Sequence, residues 1–221
     1  MSGSPAGMPA PGTGMGGAPG SAVRAGQGWR LVGGAEASEA ERAAIARYFL
    51  AKRNMLGAFA GDAAMRMRVL GARMAPGQLA AALGPDGAVL GAVGYRIDGR
   101  SPFTPDPAAF RAAFGPVAGT ARALATGAVL RRGRADALHI EGFSVERAAR
   151  GRGIGTALLG WVLAETRRHG RARWRAEVPE ASEAAIRLYR AAGGRRVRRI
   201  WLGPLGPALG LPPLALYEGS P

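Results

Sequence analysis

The chain has no cysteine among its 221 residues. Disulfides, thiolate metal sites and a catalytic thiol are therefore excluded. Lysine is almost as scarce: Lys52 is the only one, so nearly all of the 30 basic side chains are arginine. Histidine occurs only as His139 and His169. Acidic residues number 15, half the basic count, which leaves a formal charge of +15. Abundant Arg, Ala and Gly fit a G+C-rich coding bias; the surplus charge also suits an anionic partner such as a nucleotide, a nucleic acid or a membrane surface. No run has the uninterrupted apolar length of a membrane helix. The most apolar stretch near the end, WLGPLGPALGLPPLALYEG, is broken by Pro204, Pro207, Pro212 and Pro213. Residues 1–28 lack both charge and apolar bulk, with Arg24 the one charge in a Gly, Pro, Ser and Ala segment. Such a composition cannot offset chain entropy and is expected to form a disordered tail. A secretory signal would need a basic start and a continuous apolar core, and neither is present. The expectation is a soluble, cytoplasmic protein without a metal site.

Residues 29–221 have the length and composition of one domain with a real core. A short strand is expected at 29–32. A helix follows from Ser38, with Ile45, Phe49 and Leu56 near one face, and a second short helix lies within 61–74. The stretch 78–97 reads as two strands around a GPDG turn. Helix resumes after Pro105 with an interruption at Gly115–Pro116. A strand at 136–145, a helix from Ile154 to Arg168, a strand at 171–178, a helix at 181–194 and final strands at 195–203 and 214–219 complete the order. Alternating strands and helices, with hairpins, indicate an α/β (α+β) domain of three layers around a mixed sheet.

The segment ERAARGRGIGTALLGWVLAETRRHG, 146–170, places two arginines and three glycines between Arg150 and Gly155, directly before an apolar helix. Glycines between a strand and a helix let successive N–H groups point into one concavity, to which the helix N-terminus adds its positive end. Pyrophosphate suits such a site, and Arg150 and Arg152 supply charge-assisted donors. The spacing, Arg-x-x-Gly-x-Gly, is neither the P-loop nor the dinucleotide fingerprint. On these residues alone, a plain turn with solvated arginines remains equally open.

The order of elements over 29–219 resembles the GNAT superfamily of N-acetyltransferases. The family signature Gln/Arg-x-x-Gly-x-Gly/Ala matches Arg150, Gly153 and Gly155, after a strand ending in Val145. The family's second pattern, Asn-x-x-Ala-x-x-x-Tyr followed by Gly-Phe, is met by Ser182, Ala185, Tyr189 and Gly193. Ser182 departs from the usual Asn, and Gly194 from the usual Phe, whose apolar place Val197 or Ile200 is expected to take. The resemblance implies a mostly antiparallel sheet of six or seven strands, splayed at the cofactor site, with helices on both faces. It implies acetyl transfer from acetyl-CoA to a primary amine by direct attack in a ternary complex. It assigns the pyrophosphate to the backbone of Arg150, Gly151, Arg152, Gly153, Ile154, Gly155 and Thr156. Phe143, Ser144 and Val145 would pair with the pantetheine arm, and an N–H near Val145 would face the thioester carbonyl. Ser182 and Ala185 would border the arm, and Tyr189 would protonate the leaving thiolate.

Glu141 and His139 are the candidate bases, since an attacking ammonium must lose a proton. They alternate with Phe143 and Val145, so without a bulge all four share one strand face. The competing readings are an ion pair between Glu141 and an arginine, a hydrogen-bonded core His139 and a core Tyr189. His169 reads as solvated surface. Arginine clusters at 131–134, 167–175 and 195–199 raise nucleic-acid binding as an alternative, but only Trp174 and Trp201 lie in or near them. In an alternating strand, Arg171, Arg173 and Arg175 face one way and Trp174 the other, as on a solvated edge with one buried face. A non-catalytic acyl-CoA-binding domain is a third reading, against which the intact Tyr189 weighs. The resemblance also implies that acceptor choice lies in 50–77 and in 203–213; the apolar, proline-rich sequence of 203–213 suits an apolar or aromatic amine or a homodimer contact.

Overall fold

A computed structural model describes residues 28–52, 57–131, 136–200, 203 and 212–221. The tail apart from Gly28, Leu56, most of the 131–134 cluster, Trp201 and most of the proline-rich loop lie outside the described residues. The strands are β1 (Arg30–Gly33), β2 (Leu79–Leu83), β3 (Val89–Arg96), β4 (Ala137–Val145), β5 (Arg173–Pro179), β6 (Arg195–Ile200) and β7 (Leu214–Gly219). The helices are α1 (Glu39–Ala51), α2 (Gly57–Ala60), α3 (Ala63–Leu70), α4 (Pro107–Phe114), α5 (Pro116–Leu130), α6 (Ile154–Arg168) and α7 (Glu183–Ala191). Local chemistry sets several boundaries. Ser38 and Glu41 exchange side-chain-to-backbone bonds as a capping box at the start of α1. Gly115, at φ 83°, separates α4 from α5 at the expected interruption. Among the described residues, no helix is long and apolar enough to cross a membrane.

The seven strands form one sheet in the order β1-β2-β3-β4-β5-β7-β6. Only β4 and β5 run parallel; every other neighbouring pair is antiparallel. On one face, Leu138, Ile140, Ile154, Leu158 and Val162 pack with Trp174 and Tyr189 under α6 and α7. On the other, Ile45, Phe49, Leu79, Phe103, Phe110 and Leu130 pack beneath α1, α3, α4 and α5. The expected three layers are thus present.

Two irregularities in the sheet position the site. First, β4 pairs with β5 only from Ala137–Ile140 to Arg173–Ala176. Beyond that point β4 stays with β3 and β5 stays with β7, so a wedge opens between them. Second, β4 carries a bulge. Ser144 pairs with Ala92 and Glu141 with Gly94, so Gly142 and Phe143 oppose the single residue Val93. Gly142 sits at φ 59°, and a Cβ there would run into the Phe49 ring, so no other residue fits.

The bulge corrects the expectation that four residues share a face. Phe143 and Val145 pack into the core beneath α6 and α7, whereas Glu141 points to the opposite face, to Arg96 and Ser101. The apolar plug is also corrected. Val197 is 48% exposed and Ile200, at the end of β6, is only half-buried; the fully buried Trp174 indole packs against Gly194 instead. A Cβ on Gly194 would lie 2.6 Å from that indole, and one on Gly219 would lie 2.5 Å from it. His169 is more than surface, since its Nε2 lies 3.0 Å from the buried Tyr95 hydroxyl, which donates to Glu165. The alternation in β5 holds for Trp174, which is buried, against Arg173 and Arg175, which turn to the other face and share Glu218; but Arg171 lies before the strand, paired with Asp98, and Arg175 is largely buried and not solvated.

Candidate active site

The wedge runs directly into the Arg/Gly loop. After β4, Glu146 N–H donates to Leu90 C=O, and a short 3-10 turn (Arg147–Ala149) brings the chain round to Arg150. Gly151 and Gly153 both adopt positive φ, at 78° and 75°. Gly153 is the N-cap of α6 and has no side chain to cap it. The bond from Ala157 N–H to Gly153 C=O is the first of the helix, so the N–H groups of Ile154, Gly155 and Thr156 precede the ladder and face outward from the helix end. A Cβ on Gly151 would meet nothing within 4 Å, so the concavity is open there. These features fit an anionic diphosphate. The two arginines diverge. Arg150 lies exposed at the mouth, its Nε 3.5 Å from Val145 C=O. Arg152 donates to Gly28 C=O, while its own carbonyl accepts from the Trp29 indole.

Tyr189 stands over the wedge from α7. It is 3% exposed and ringed by Phe143 of β4, Trp174 of β5 and Tyr217 of β7, at centroid distances of 5.9, 5.6 and 6.5 Å. Burial holds its hydroxyl protonated well above the ordinary tyrosine range. Ala185 lies on the same helix face, half-buried against the same core. Ser182 begins α7 through its carbonyl, which accepts from Ile186 N–H, and not through a side-chain cap.

The opposite face of β4 carries the ionisable groups. Glu141 accepts from Arg96 at 2.5 Å and from Ser101 at 2.9 Å. Burial raises its proton affinity above the ordinary glutamate value, against the pull of Arg96 and Ser101. His139 sits on the same strand face, in register between Arg96 and Arg175. Glu177 is a residue the sequence reading missed. Ile140 and Ala176 form the last β4–β5 pair, so Glu141 and Glu177 are the first residues past the split, on the same face of the sheet. The charge of Glu177 adds to the upward push on Glu141.

A second missed group lies further along β4. The Ser144 hydroxyl donates to the Tyr48 hydroxyl at 3.3 Å; the Lys52 ammonium sits 4.2 Å above the Tyr48 ring and pairs with Glu146. Lys52 was visible as the lone lysine, but only the packing of α1 brings it here. Among the described residues, no cluster of three or more His, Asp or Glu could hold a metal.

Among curated proteins none matches the chain. Solved structures do. A GCN5-related N-acetyltransferase from Kribbella flavida is similar with a TM-score of 0.53 at 19% identity, over 88% of this chain and 99% of that one. A chain of the NatC complex bound to Gag peptide and CoA gives 0.52 at 15% identity, over 83% and 92%. Likeness at that identity concerns the fold alone. The family model is more specific: that of the acetyltransferase (GNAT) family matches residues 72–193, which span β2 to α7 and hold both the Arg/Gly loop and Tyr189. With more than half of its length so matched, on this fold, the chain belongs to the acetyltransferase (GNAT) family and is an acyltransferase.

Proposed function

We propose that the protein moves an acetyl group from acetyl-CoA to a primary amine by direct attack in a ternary complex. The observation that carries this reading is the free edge of β4, which leaves β5 at Ile140 and leads straight to the uncapped N-terminus of α6. An extended amide chain that ends in a diphosphate is matched by those two features together. Acetyl-CoA would supply the activated thioester. Gly151 to Thr156 would hold its pyrophosphate through backbone N–H groups, with Arg150 at the mouth. The backbone of Phe143, Ser144 and Val145 would pair with the pantetheine amides as an added strand. An N–H near Val145 would stabilise charge on the thioester oxygen.

Glu141, His139 or Glu177 would take the proton that the ammonium loses, directly or through water. As the new C–N bond forms and the C–S bond breaks, Tyr189 delivers a proton to the departing sulfur. Most of the rate gain comes from holding amine and thioester together. The pairing of the 167–175 and 195–199 arginines supports a structural role more than a nucleic-acid one: Arg173, Arg175 and Arg195 share Glu218, Arg196 and Arg199 share Glu180, and Arg171 binds Asp98.

CoA should raise the melting temperature of the wild-type protein, and Gly153→Asp should remove that shift by setting a carboxylate against the diphosphate. A wild type indifferent to CoA would overturn the reading. Thiol release from acetyl-CoA across a panel of amines, amino acids and peptides identifies the acceptor and separates an enzyme from a non-catalytic binder.

A further inference from the structure

Antiparallel neighbours in a sheet need only a two-residue turn between them. β3 and β4 are such neighbours, yet residues 97–136 intervene. That connection builds α4 and α5 and, with Ala75 and Gln78, lines a half-open pocket of about 450 Å³. This lies in the range of small-molecule sites, roughly 300–1,000 Å³. Phe103, Leu124 and Leu130 give it apolar walls, and among the described residues its lining includes the cations Arg100 and Arg131 and no acidic residue.

The cavity is tied to Glu141 twice. Ser101, in its wall, donates to one carboxylate oxygen at 2.9 Å. Arg96 donates to the other at 2.5 Å and reaches the carbonyl of the wall residue Leu130 at 3.5 Å. Both oxygens of Glu141 are thus held by groups anchored at the cavity. An occupant would touch Ser101 and Leu130, and through them reach Glu141 indirectly, since neither Arg96 nor the carboxylate itself lines the space.

We propose that this cavity binds a small amphipathic molecule with an apolar body and one anionic head group, and that its occupancy resets the hydrogen bonding of Glu141 through Ser101 and Arg96. The coupling rests on the reading of Glu141 as a transfer-site carboxylate; the binding does not. Among the described residues, the groups that face Glu141 are Arg96 from β3, Ser101 from the β3–α4 loop, Glu177 from β5 and, on its own strand, His139. An occupant that draws Ser101 away removes one of the interactions favouring the ionised form, so Glu141 keeps its proton to higher pH.

Decanoate is a suitable probe, with decanol as its uncharged counterpart, and calorimetry is done on the full chain saturated with CoA so that the transfer site is occupied. About one decanoate should bind per chain, more tightly than decanol. Leu124 is 65% exposed, so Leu124→Glu should fold normally and lower decanoate affinity by about tenfold or more through like-charge repulsion. Ala123→Trp should fill the space and abolish binding. No binding, or binding that both variants leave unchanged, overturns the site. Decanoate should also move the acidic limb of acetyl transfer to higher pH, whereas Ser101→Ala should already sit there and no longer respond. A limb that ignores bound decanoate overturns the coupling. Absence of transfer to any amine despite CoA binding overturns the reading of the transfer site and the coupling with it, while calorimetry still decides the cavity.

Discussion

Tyr189 presents its hydroxyl from within a cage of three rings, and burial keeps that hydroxyl protonated. A phenol so held is ready to donate and unready to act as a base. Tyr189→Phe removes one oxygen and leaves the packing. The CoA-induced thermal shift should persist while kcat falls by about 10²-fold. Full turnover of the variant with a confirmed acceptor would return Tyr189 to a packing role. Glu141 gives a prediction of sign. Its proton affinity is raised by burial and by Glu177, and lowered by Arg96 and Ser101. If Glu141 is the base, the rate falls as pH drops through a value above the ordinary glutamate pKa of about 4.3. Ser101→Ala removes a downward pull, so the limb should move up. Glu177→Gln removes an upward push, so it should move down. Shifts in one direction for both variants would show that another group sets the limb, and a collapse of kcat in Glu177→Gln alone would make Glu177 the base. Tyr189 and the glycines were legible because their spacing is local to one helix and one loop. Glu177 was not, because only the register of two strands 36 positions apart sets it beside Glu141.

At the scale of elements, β4 shows where alternation stops being a guide. Positions 139 to 145 read as an unbroken period of two, and the bulge reverses the parity after Glu141. Gly142 was the only hint, and its significance depends on Phe49 of α1, which is remote in sequence. The Trp174 seat is similar. Gly194 looked like a missing aromatic; in the fold it is the room that an aromatic from β5 needs. Gly219→Ala would place a methyl 2.5 Å from the indole and should cost about 1–3 kcal/mol by overpacking. Chemical denaturation measures it. Trp174→Phe removes the indole atoms at that contact, so Gly219→Ala should cost less in the Trp174→Phe background than in the wild type. Equal costs of Gly219→Ala in both backgrounds would mean that backbone strain and not the indole sets the requirement for glycine.

At the scale of the molecule, part of the arginine is gathered round shared carboxylates, as Arg173, Arg175 and Arg195 are round Glu218. Composition alone could not separate that arrangement from a polyanion surface, because pairing is decided by which strands become neighbours. The start of the domain was legible only approximately. The boundary at residue 28 rested on composition, but Gly28 and Trp29 reach across the fold to hold Arg152 in the Arg/Gly loop. The tail and the clamp can be tested apart. Removing residues 1–27 while keeping Gly28 should leave the melting temperature and the CoA shift unchanged within about 0.5 kcal/mol. Trp29 is buried, so Trp29→Ala should cost about 3–5 kcal/mol. Trp29→Phe keeps most of the packing and loses the indole N–H bonded to the Arg152 carbonyl. It should weaken CoA binding by more than its loss of stability explains, because that bond fixes the backbone just before the α6 N-terminus. A Trp29→Phe variant with native CoA affinity would mean that the loop holds its shape without the clamp. Loss of the CoA shift on truncation to Gly28 would instead make the tail part of the site.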